Sequence, residues 1–215
     1  MSEEAELREQ LAEQYQHAER TGLNELSSGN LSVRFEDGML ISPSGATADN
    51  ITVDTIVFVK LNGDWEGDRK PSSEWRMHAG IYERHEKAKA VVHTHSDYCV
   101  ALACQQRPLP GFHYLVGSFG GNDVPCVPYS TFGTQTLADD AAEALADRTA
   151  CLLGNHGMIC RSSNIKKAVD LAHRLEIMCR QYLLTSQYGE PKMLTDDHWG
   201  EFFDRAQKVS YGKFI

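Results

Sequence analysis

Two histidines separated by one residue, His93 and His95 in the segment AVVHTHS, are the strongest chemical signal in the chain. The apolar, β-branched residues before them predict a strand, in which successive side chains point to opposite faces. Both imidazoles therefore share one face, and Thr94 points away from it. Two imidazoles side by side at a strand end can bind one metal cation. The alternative is a pair of structural histidines, which is the more frequent case for an isolated pair.

Two other residues could complete such a site. His156 lies between glycines in the segment GNHG, where glycine permits close backbone approach and an outward-pointing ring. Glu74 in PSSEW lies in the first turn of a predicted helix, where the helix N-terminus favours a carboxylate. Alone, each has an ordinary alternative as a solvated turn or helix residue. Three imidazoles and one carboxylate would together suit a divalent transition metal, above all Zn²⁺.

Three short segments have the residue types that bind anions. Hydroxyl side chains and exposed backbone N–H groups at a helix start can bind a phosphate without a lysine. The segments are SGN at 28–30, SPSG at 42–45, and the pair Ser72 and Ser73 before Glu74. Each one alone is more typical of a plain turn or cap. The chain has no Walker loop and no GxGxxG fingerprint, so its sequence does not favour nucleotide binding.

These candidate residues fall between predicted strands and helices that alternate along the chain. Helices are predicted over 3–21, 73–85 (with Ser72 or Ser73 as N-cap), 97–104, 134–146, 164–188 and 196–208. Strands are predicted over 31–35, 39–41, 56–61, 90–95, 150–153 and 158–161, with loops and short strands over 105–132. This pattern indicates a layered α/β domain. No repeat or linker divides the chain, so we expect one domain over 1–215.

Composition excludes several classes of function. With 41% hydrophobic and 24% charged residues, the chain resembles an ordinary globular protein rather than a disordered one. The net charge of −9 disfavours nucleic-acid partners. No segment approaches the roughly 20 apolar residues of a membrane helix, and the acidic start MSEEAELREQ is unlike a signal peptide. We therefore expect a cytoplasmic protein without membrane partners, whose six scattered cysteines are buried and reduced.

Six segments together give the chain a family resemblance. They are SSGNLSVR, ISPSG, KPSSEWRMH, AVVHTHS, HYLVGSFGGNDVPCVPYSTFGT and LLGNHGMI, in this order along almost the whole sequence. The chain resembles the class II sugar-phosphate aldolases, a family that includes L-fuculose-1-phosphate aldolase, L-ribulose-5-phosphate 4-epimerase and the head domain of adducin. The segments PSSEW, PYSTFGT and the late Tyr-Gly pair are most similar to the fuculose phosphate aldolase branch.

The resemblance implies roles for particular residues. It implies one Zn²⁺ per subunit, replaceable by Mn²⁺ or Co²⁺, with Glu74 also acting as the catalytic acid/base. It implies that Tyr114 handles a proton on the aldehyde side, and that Phe132 and Tyr211 line that side. The implied metal ligands are Glu74, His93, His95 and His156, and the implied phosphate-binding residues are Asn30, Ser44, Gly45, Ser72 and Ser73.

The resemblance also implies a fold and an activity. The fold would be a three-layer αβα domain with a central, mainly antiparallel sheet, assembled as a homotetramer with active sites at subunit interfaces. The activity would be metal-dependent, reversible aldol cleavage of a ketose 1-phosphate such as L-fuculose 1-phosphate. The products would be dihydroxyacetone phosphate and a short aldehyde such as L-lactaldehyde.

Three alternatives remain within the same resemblance: 4-epimerisation of a pentulose 5-phosphate, dehydration of a thio-sugar phosphate, and a non-enzymatic adducin-like module. Epimerases that resemble this chain tend to carry aspartate where Glu74 stands, so the glutamate favours an aldolase. The presence of all four implied metal ligands and the absence of a long basic tail disfavour the adducin-like module.

Overall fold

A seven-stranded sheet forms the centre of the computed structural model, which describes residues 2–209. The strand order is β3-β2-β1-β4-β7-β6-β5, and every neighbouring pair is antiparallel except β5 and β6. The strands are β1 (Asn30–Phe35), β2 (Gly38–Ile41), β3 (Val57–Lys60), β4 (Ala90–Thr94), β5 (Cys126–Val127), β6 (Ala150–Leu153) and β7 (Gly157–Ser162). The predicted mainly antiparallel sheet is thus confirmed.

Helices cover both faces of this sheet. They are α1 (Glu3–Arg20), α2 (Trp75–Arg84), α3 (Asp97–Ala103), α4 (Gln135–Ala144), α5 (Ile165–Ser186) and α6 (Asp196–Lys208), with a short 3₁₀ helix over Tyr114–Phe119. Helices α1, α3 and α5 bury their apolar sides in one core, and α2 and α4 bury theirs in a second core. Within residues 2–209, no helix combines the length and apolarity needed to span a membrane.

Strand β4 shows how the sequence divides between these two cores. Ala90 and Val92 point into the core beneath α5, whereas Val91 points into the core beneath α2 and α4. All five residues of β4 are buried because helices cover both faces of the sheet. The strand therefore delivers His93 and then His95 to its end from a rigid, central position.

The start of α2 differs from the prediction. Neither Ser72 nor Ser73 is its N-cap, since the helix begins at Trp75 and Glu74 holds the N-cap position. The reason is a contact between loops: Pro43 and Pro71 form an antiparallel bridge, and the Ser72 backbone N–H donates to the Ser42 carbonyl at 3.2 Å. This pairing keeps the chain extended at Ser72, so the helix starts later.

Two further expectations were wrong in detail. The segment Tyr114–Phe119, expected to be a loop, forms the 3₁₀ helix, with His113 accepting a hydrogen bond at its start from the Leu115 backbone. Cys104 is exposed and Cys126 is partly buried, although all six thiols were expected to be buried. The other four cysteines lie in the core.

Candidate metal centre

Four side chains from distant parts of the sequence converge at one end of the sheet. Glu74, His93, His95 and His156 each offer one ligand atom, and these atoms all lie within 4.8 Å of one another. Glu74 Oε2 is 3.1 Å from His93 Nε2, and Glu74 Oε1 is 3.3 Å from His156 Nε2. The structure therefore brings together all four residues that the sequence singled out.

The hydrogen bonds of His93 show which ring nitrogen is free. Its Nδ1 lies 2.8 Å from the Met158 carbonyl oxygen of β7 and must donate to it, because a carbonyl only accepts. In the neutral ring, Nε2 then carries a lone pair. This nitrogen lies 3.1 Å from Glu74 Oε2 and 2.9 Å from His95 Nε2. A backbone carbonyl that fixes the ring in this way is the usual support of a metal-binding histidine.

The cluster fits a divalent cation. Glu74 is almost fully buried, and its Oε1 has no hydrogen-bond partner. Buried carboxylate oxygens without partners are costly unless an ion or proton lies between them and their neighbours. Three imidazole nitrogens and one carboxylate oxygen are a ligand set that such an ion prefers. The site is therefore compatible with a metal ion.

Electrostatics keep the ligands in the protonation states that a metal requires. Burial, helped by His93, lowers the pKa of His95 to about 3 and the pKa of His156 to about 4, so both rings are neutral at pH 7. Burial alone would raise the pKa of Glu74, but His93, and then His156 and Asn30, hold that pKa below its usual value. Neutral imidazoles and an ionised carboxylate are the forms that bind metals.

The turn between β6 and β7 positions His156 through close backbone contacts. A Cβ at Gly157 would lie 2.4 Å from the Thr94 carbonyl oxygen, and one at Gly154 would lie 2.8 Å from the Tyr129 backbone nitrogen. Between them, Asn155 has a φ of +53°, in the left-handed region. The two glycines thus permit the close approach that the sequence predicted.

A cavity of about 330 Å³ opens beside the cluster. Phe132, 63% exposed, and Tyr129, 57% exposed, present aromatic rings at this cavity. Its lining consists of Glu74, His95 and His156 from the cluster together with Ser73, Tyr129, Ser130, Phe132 and Asn155. Sequence reasoning missed Tyr129, Ser130 and Asn155 as lining residues, although all three stand within the quoted segments PYSTFGT and GNHG.

The three segments predicted to bind an anion lie side by side. Ser42 joins them, because its Oγ accepts from the Leu31 backbone N–H beside Asn30 and its carbonyl accepts from Ser72. Ser44 and Gly45 lie exposed in the middle segment, and Gly45 has a φ of +73°. Exposed Ser73 and buried Ser72 form the third segment. The three segments are thus linked by hydrogen bonds, and the third leads directly into Glu74.

Asn30, another predicted phosphate-binding residue, has both polar atoms of its side chain in hydrogen bonds. Its side chain is buried, and its Nδ2 donates to Glu74 Oε2 at 3.1 Å. Its Oδ1 lies 2.6 Å from Nε2 of His78, a fully buried histidine of α2. Burial lowers the pKa of His78 to about 3, so this ring is neutral. Sequence reasoning did not select His78.

One predicted aldehyde-side residue, Tyr114, lies apart from the cluster, and another, Tyr211, is not among the residues that the structure describes. Tyr114 is about half exposed, stacks on His113 and packs near Phe202 of α6, and it does not line the cavity beside Glu74. Tyr211 lies outside the described residues. Among residues 2–209, Phe132 is therefore the one member of the predicted aromatic set that lines this cavity.

Known proteins share both this sequence and this fold. The family model for the class II aldolase and adducin N-terminal domain matches residues 9–183. The chain is 44% identical over 178 residues to an L-fuculose phosphate aldolase of Escherichia coli O6:H1, covering 83% of each chain. It is also 44% identical over 191 residues to a 5-methylthioribulose-1-phosphate/5-deoxyribulose-1-phosphate aldolase of Rhodospirillum rubrum, covering 89% of this chain and 86% of the relative.

A solved structure of L-fuculose 1-phosphate aldolase superposes with a TM-score of 0.89 at 35% identity, covering 98% of both chains. The agreement over almost the whole of both chains shows that they share one fold. It confirms the predicted αβα fold and, with the sequence relatives, the predicted class II aldolase, a carbon–carbon lyase. The chain belongs to the class II aldolase and adducin N-terminal domain family.

Proposed function

We propose that this protein catalyses the reversible aldol cleavage of a ketose 1-phosphate to dihydroxyacetone phosphate and a short aldehyde. The convergence of Glu74, His93, His95 and His156 beside an open cavity carries this proposal. L-fuculose 1-phosphate, which would yield L-lactaldehyde, is the first candidate substrate because relatives named for it share 44% identity with this chain.

We propose that the four clustered residues hold one Zn²⁺ per subunit, with Mn²⁺ or Co²⁺ as possible substitutes. Such an ion supplies fixed positive charge where the enediolate develops negative charge during cleavage. The chain contributes the rigid part of the site: His93 is fixed by its bond to the Met158 carbonyl, and His156 by the tight turn.

Glu74 is the proposed acid/base. During cleavage the C4 hydroxyl loses its proton, the C3–C4 bond breaks, and its electron pair forms the enediolate. Glu74, after taking up a proton from solvent, protonates C3 to give dihydroxyacetone phosphate, and in the direction of synthesis its ionised carboxylate removes that proton. Tyr114 is the candidate that exchanges the C4 hydroxyl proton on the aldehyde side.

The remaining predicted residues bind the two ends of the substrate. The phosphate would accept hydrogen bonds from Ser44, Gly45, Ser72 and Ser73, with Asn30 at the Glu74 side. Phe132 and Tyr211 would line the aldehyde side.

We propose the homotetramer that the resemblance implies, in which a neighbouring subunit supplies Tyr114 and Tyr211. The placement of Tyr114 away from the cavity of its own chain is consistent with a contribution from a second copy. The single domain over 1–215 and the cytoplasmic location stay predictions.

A second candidate substrate has direct support. The Rhodospirillum rubrum relative is named for 5-methylthioribulose 1-phosphate and 5-deoxyribulose 1-phosphate and is also 44% identical to this chain. Cleavage of the C3–C4 bond in these sugars again gives dihydroxyacetone phosphate, with methylthioacetaldehyde or acetaldehyde as the second product. The proposed chemistry is therefore unchanged, and only the aldehyde differs.

A panel of ketose 1-phosphates tests this proposal. Release of dihydroxyacetone phosphate from each sugar would be followed with a coupled dehydrogenase, together with assays for isomerised or dehydrated sugars. We expect cleavage of at least one member of the panel. An isomeric pentulose phosphate would instead identify an epimerase, a dehydrated product a dehydratase, and inactivity with every sugar a non-enzymatic module.

The role of Glu74 has its own test. In deuterated water, NMR follows exchange of the C3 proton of dihydroxyacetone phosphate by the zinc-loaded enzyme. We expect Glu74→Gln to slow exchange by at least about 10²-fold, since the amide cannot accept the proton. Glu13→Gln, at an exposed position of α1, is the matched control and should exchange normally. Exchange by Glu74→Gln at the wild-type rate would exclude Glu74 as the base.

A further inference from the structure

A buried chain of hydrogen bonds leads from the interior of the protein to Glu74. The Tyr82 hydroxyl lies 2.8 Å from Ser32 Oγ, and Ser32 Oγ lies 2.7 Å from Nδ1 of His78. On the other side of the ring, His78 Nε2 lies 2.6 Å from Asn30 Oδ1, and Asn30 Nδ2 lies 3.1 Å from Glu74 Oε2. All five side chains are buried, from 0% exposed at Ser32 and His78 to 6% at Glu74.

The chemistry of the groups fixes the direction of every bond in this chain. A carboxylate only accepts, so the NH₂ group of Asn30 faces Glu74 and its Oδ1 faces His78. An amide oxygen also only accepts, so His78 carries its proton on Nε2. The other nitrogen of this neutral ring then accepts from Ser32, and the Ser32 oxygen accepts from Tyr82.

We propose that His78, held by Ser32 and Tyr82, is a positioning residue that fixes the amide of Asn30 with its N–H groups toward Glu74. A flipped amide would place Oδ1 against Glu74 Oε2 and NH₂ against the Nε2–H of His78. Both contacts would be repulsive, and burial would prevent water from relieving them. The ring of His78 therefore allows Asn30 a single orientation.

This orientation acts on the metal centre through Glu74. The bond from Asn30 occupies Oε2, whereas Oε1 has no hydrogen-bond partner and faces His156. One carboxylate oxygen is thus anchored by the protein, and the other is left for an ion. Groups that orient a metal ligand in this way typically change metal affinity or activity 10- to 100-fold when they are removed.

The inference rests on the proposed function where it concerns catalysis, but its first test needs no substrate. In the metal-free wild-type protein, ¹⁵N NMR of the histidine rings should show His78 protonated on Nε2 alone. A His78 ring protonated on Nδ1, or one averaging between both tautomers, would overturn the proposal.

Ser32→Ala provides the second test because it removes the hydroxyl that donates to Nδ1 and so supports the Nε2–H tautomer from the other side of the ring. We expect His78 to populate the Nδ1–H form in this variant. We expect the Zn²⁺ dissociation constant, measured by competition with a chelator, to rise about tenfold. Ser162→Ala is the matched control: Ser162 is also buried in a strand, and its Oγ has no hydrogen-bond partner.

Tyr82→Phe, which leaves the Ser32 hydroxyl in place, should have a smaller effect than Ser32→Ala on both readouts. Ser32→Ala with the same His78 spectrum and Zn²⁺ affinity as Ser162→Ala would overturn the proposal. Failure of the wild-type enzyme to cleave any ketose 1-phosphate would count against the proposed function alone, since neither of these readouts uses a sugar.

Discussion

The metal-free protein should lose stability steeply when the pH falls from 7 to 5. Burial lowers the pKa of His78 and of His95 to about 3, and the pKa of His156 to about 4, from an ordinary value of 6.5. Between pH 6.5 and about 4 the unfolded chain therefore binds protons on these rings that the folded chain does not. The free energy of unfolding is therefore highest above pH 6.5, and it falls as the pH drops through this window.

The size of the loss follows from these three rings. A histidine that stays neutral in the folded protein and has a pKa of 6.5 in the unfolded chain lowers the free energy of unfolding by about 1.9 kcal/mol between pH 7 and pH 5. Three such rings give an upper limit of about 6 kcal/mol, which we reduce to about 3–4 kcal/mol because His95 and His156 are partly exposed to solvent. The lowered pKa of Glu74 adds its own loss only at more acidic pH, below its usual value of 4.5.

Urea unfolding in the presence of a chelator, followed by circular dichroism at pH 7, 6 and 5, measures this loss. The variant His156→Asn removes one of the three rings and should reduce the difference between pH 7 and pH 5 by about 1 kcal/mol. A free energy of unfolding that changes by less than about 1 kcal/mol between pH 7 and pH 5, or an unchanged difference in His156→Asn, would refute the reasoning.

Three further predictions concern the metal and the cavity. Zn²⁺ at about 1,000 times its dissociation constant should raise Tm by about 8–16 °C in thermal scans, and identical scans with Zn²⁺ and with chelator would contradict a metal site. Gly157→Ala should weaken Zn²⁺ binding at least about tenfold in chelator competition, because its Cβ would meet the Thr94 carbonyl. Gly200→Ala, whose Cβ would lie in open space, is the control and should leave Zn²⁺ binding unchanged. Phe132→Ala should raise KM for the aldehyde in synthesis assays while proton exchange into dihydroxyacetone phosphate continues at the normal rate. If the rates of synthesis and of proton exchange fell equally, Phe132 would have a role other than lining the aldehyde side.

Local patterns in the sequence predicted most of the sheet. The strands predicted over 31–35 and 39–41 correspond to β1 and β2, and the alternating apolar residues of β4 and β6 divide between the two cores. Such patterns reflect contacts between near neighbours in the chain and the two faces of a strand. The same reasoning placed His93 and His95 on one side of the sheet, where the structure brings them together.

Contacts between distant segments account for what the sequence did not predict. The bridge between Pro43 and Pro71 delays the start of α2, and no local pattern near Ser72 signals it. His78 looked like an ordinary residue of α2, because its bond to Asn30 joins residues 48 positions apart. Long-range pairs of this kind depend on the finished fold, so single-sequence patterns do not contain them.

The sheet register determines how the ligands meet. Asn30 of β1 pairs with His93 of β4, which in turn pairs with Ile159 of β7 beside the Met158 carbonyl. A slip of β4 by one residue would turn His93 to the opposite face and separate it from both neighbours. Glu74 is held differently, since it precedes a helix and is tied to the sheet through the side chain of Asn30. The three histidines therefore form the rigid part of the site. The carboxylate of Glu74 is held by side-chain contacts alone, with Asn30, His93 and His156, so it can move without a change in the sheet, as an acid/base that must reach a substrate carbon requires.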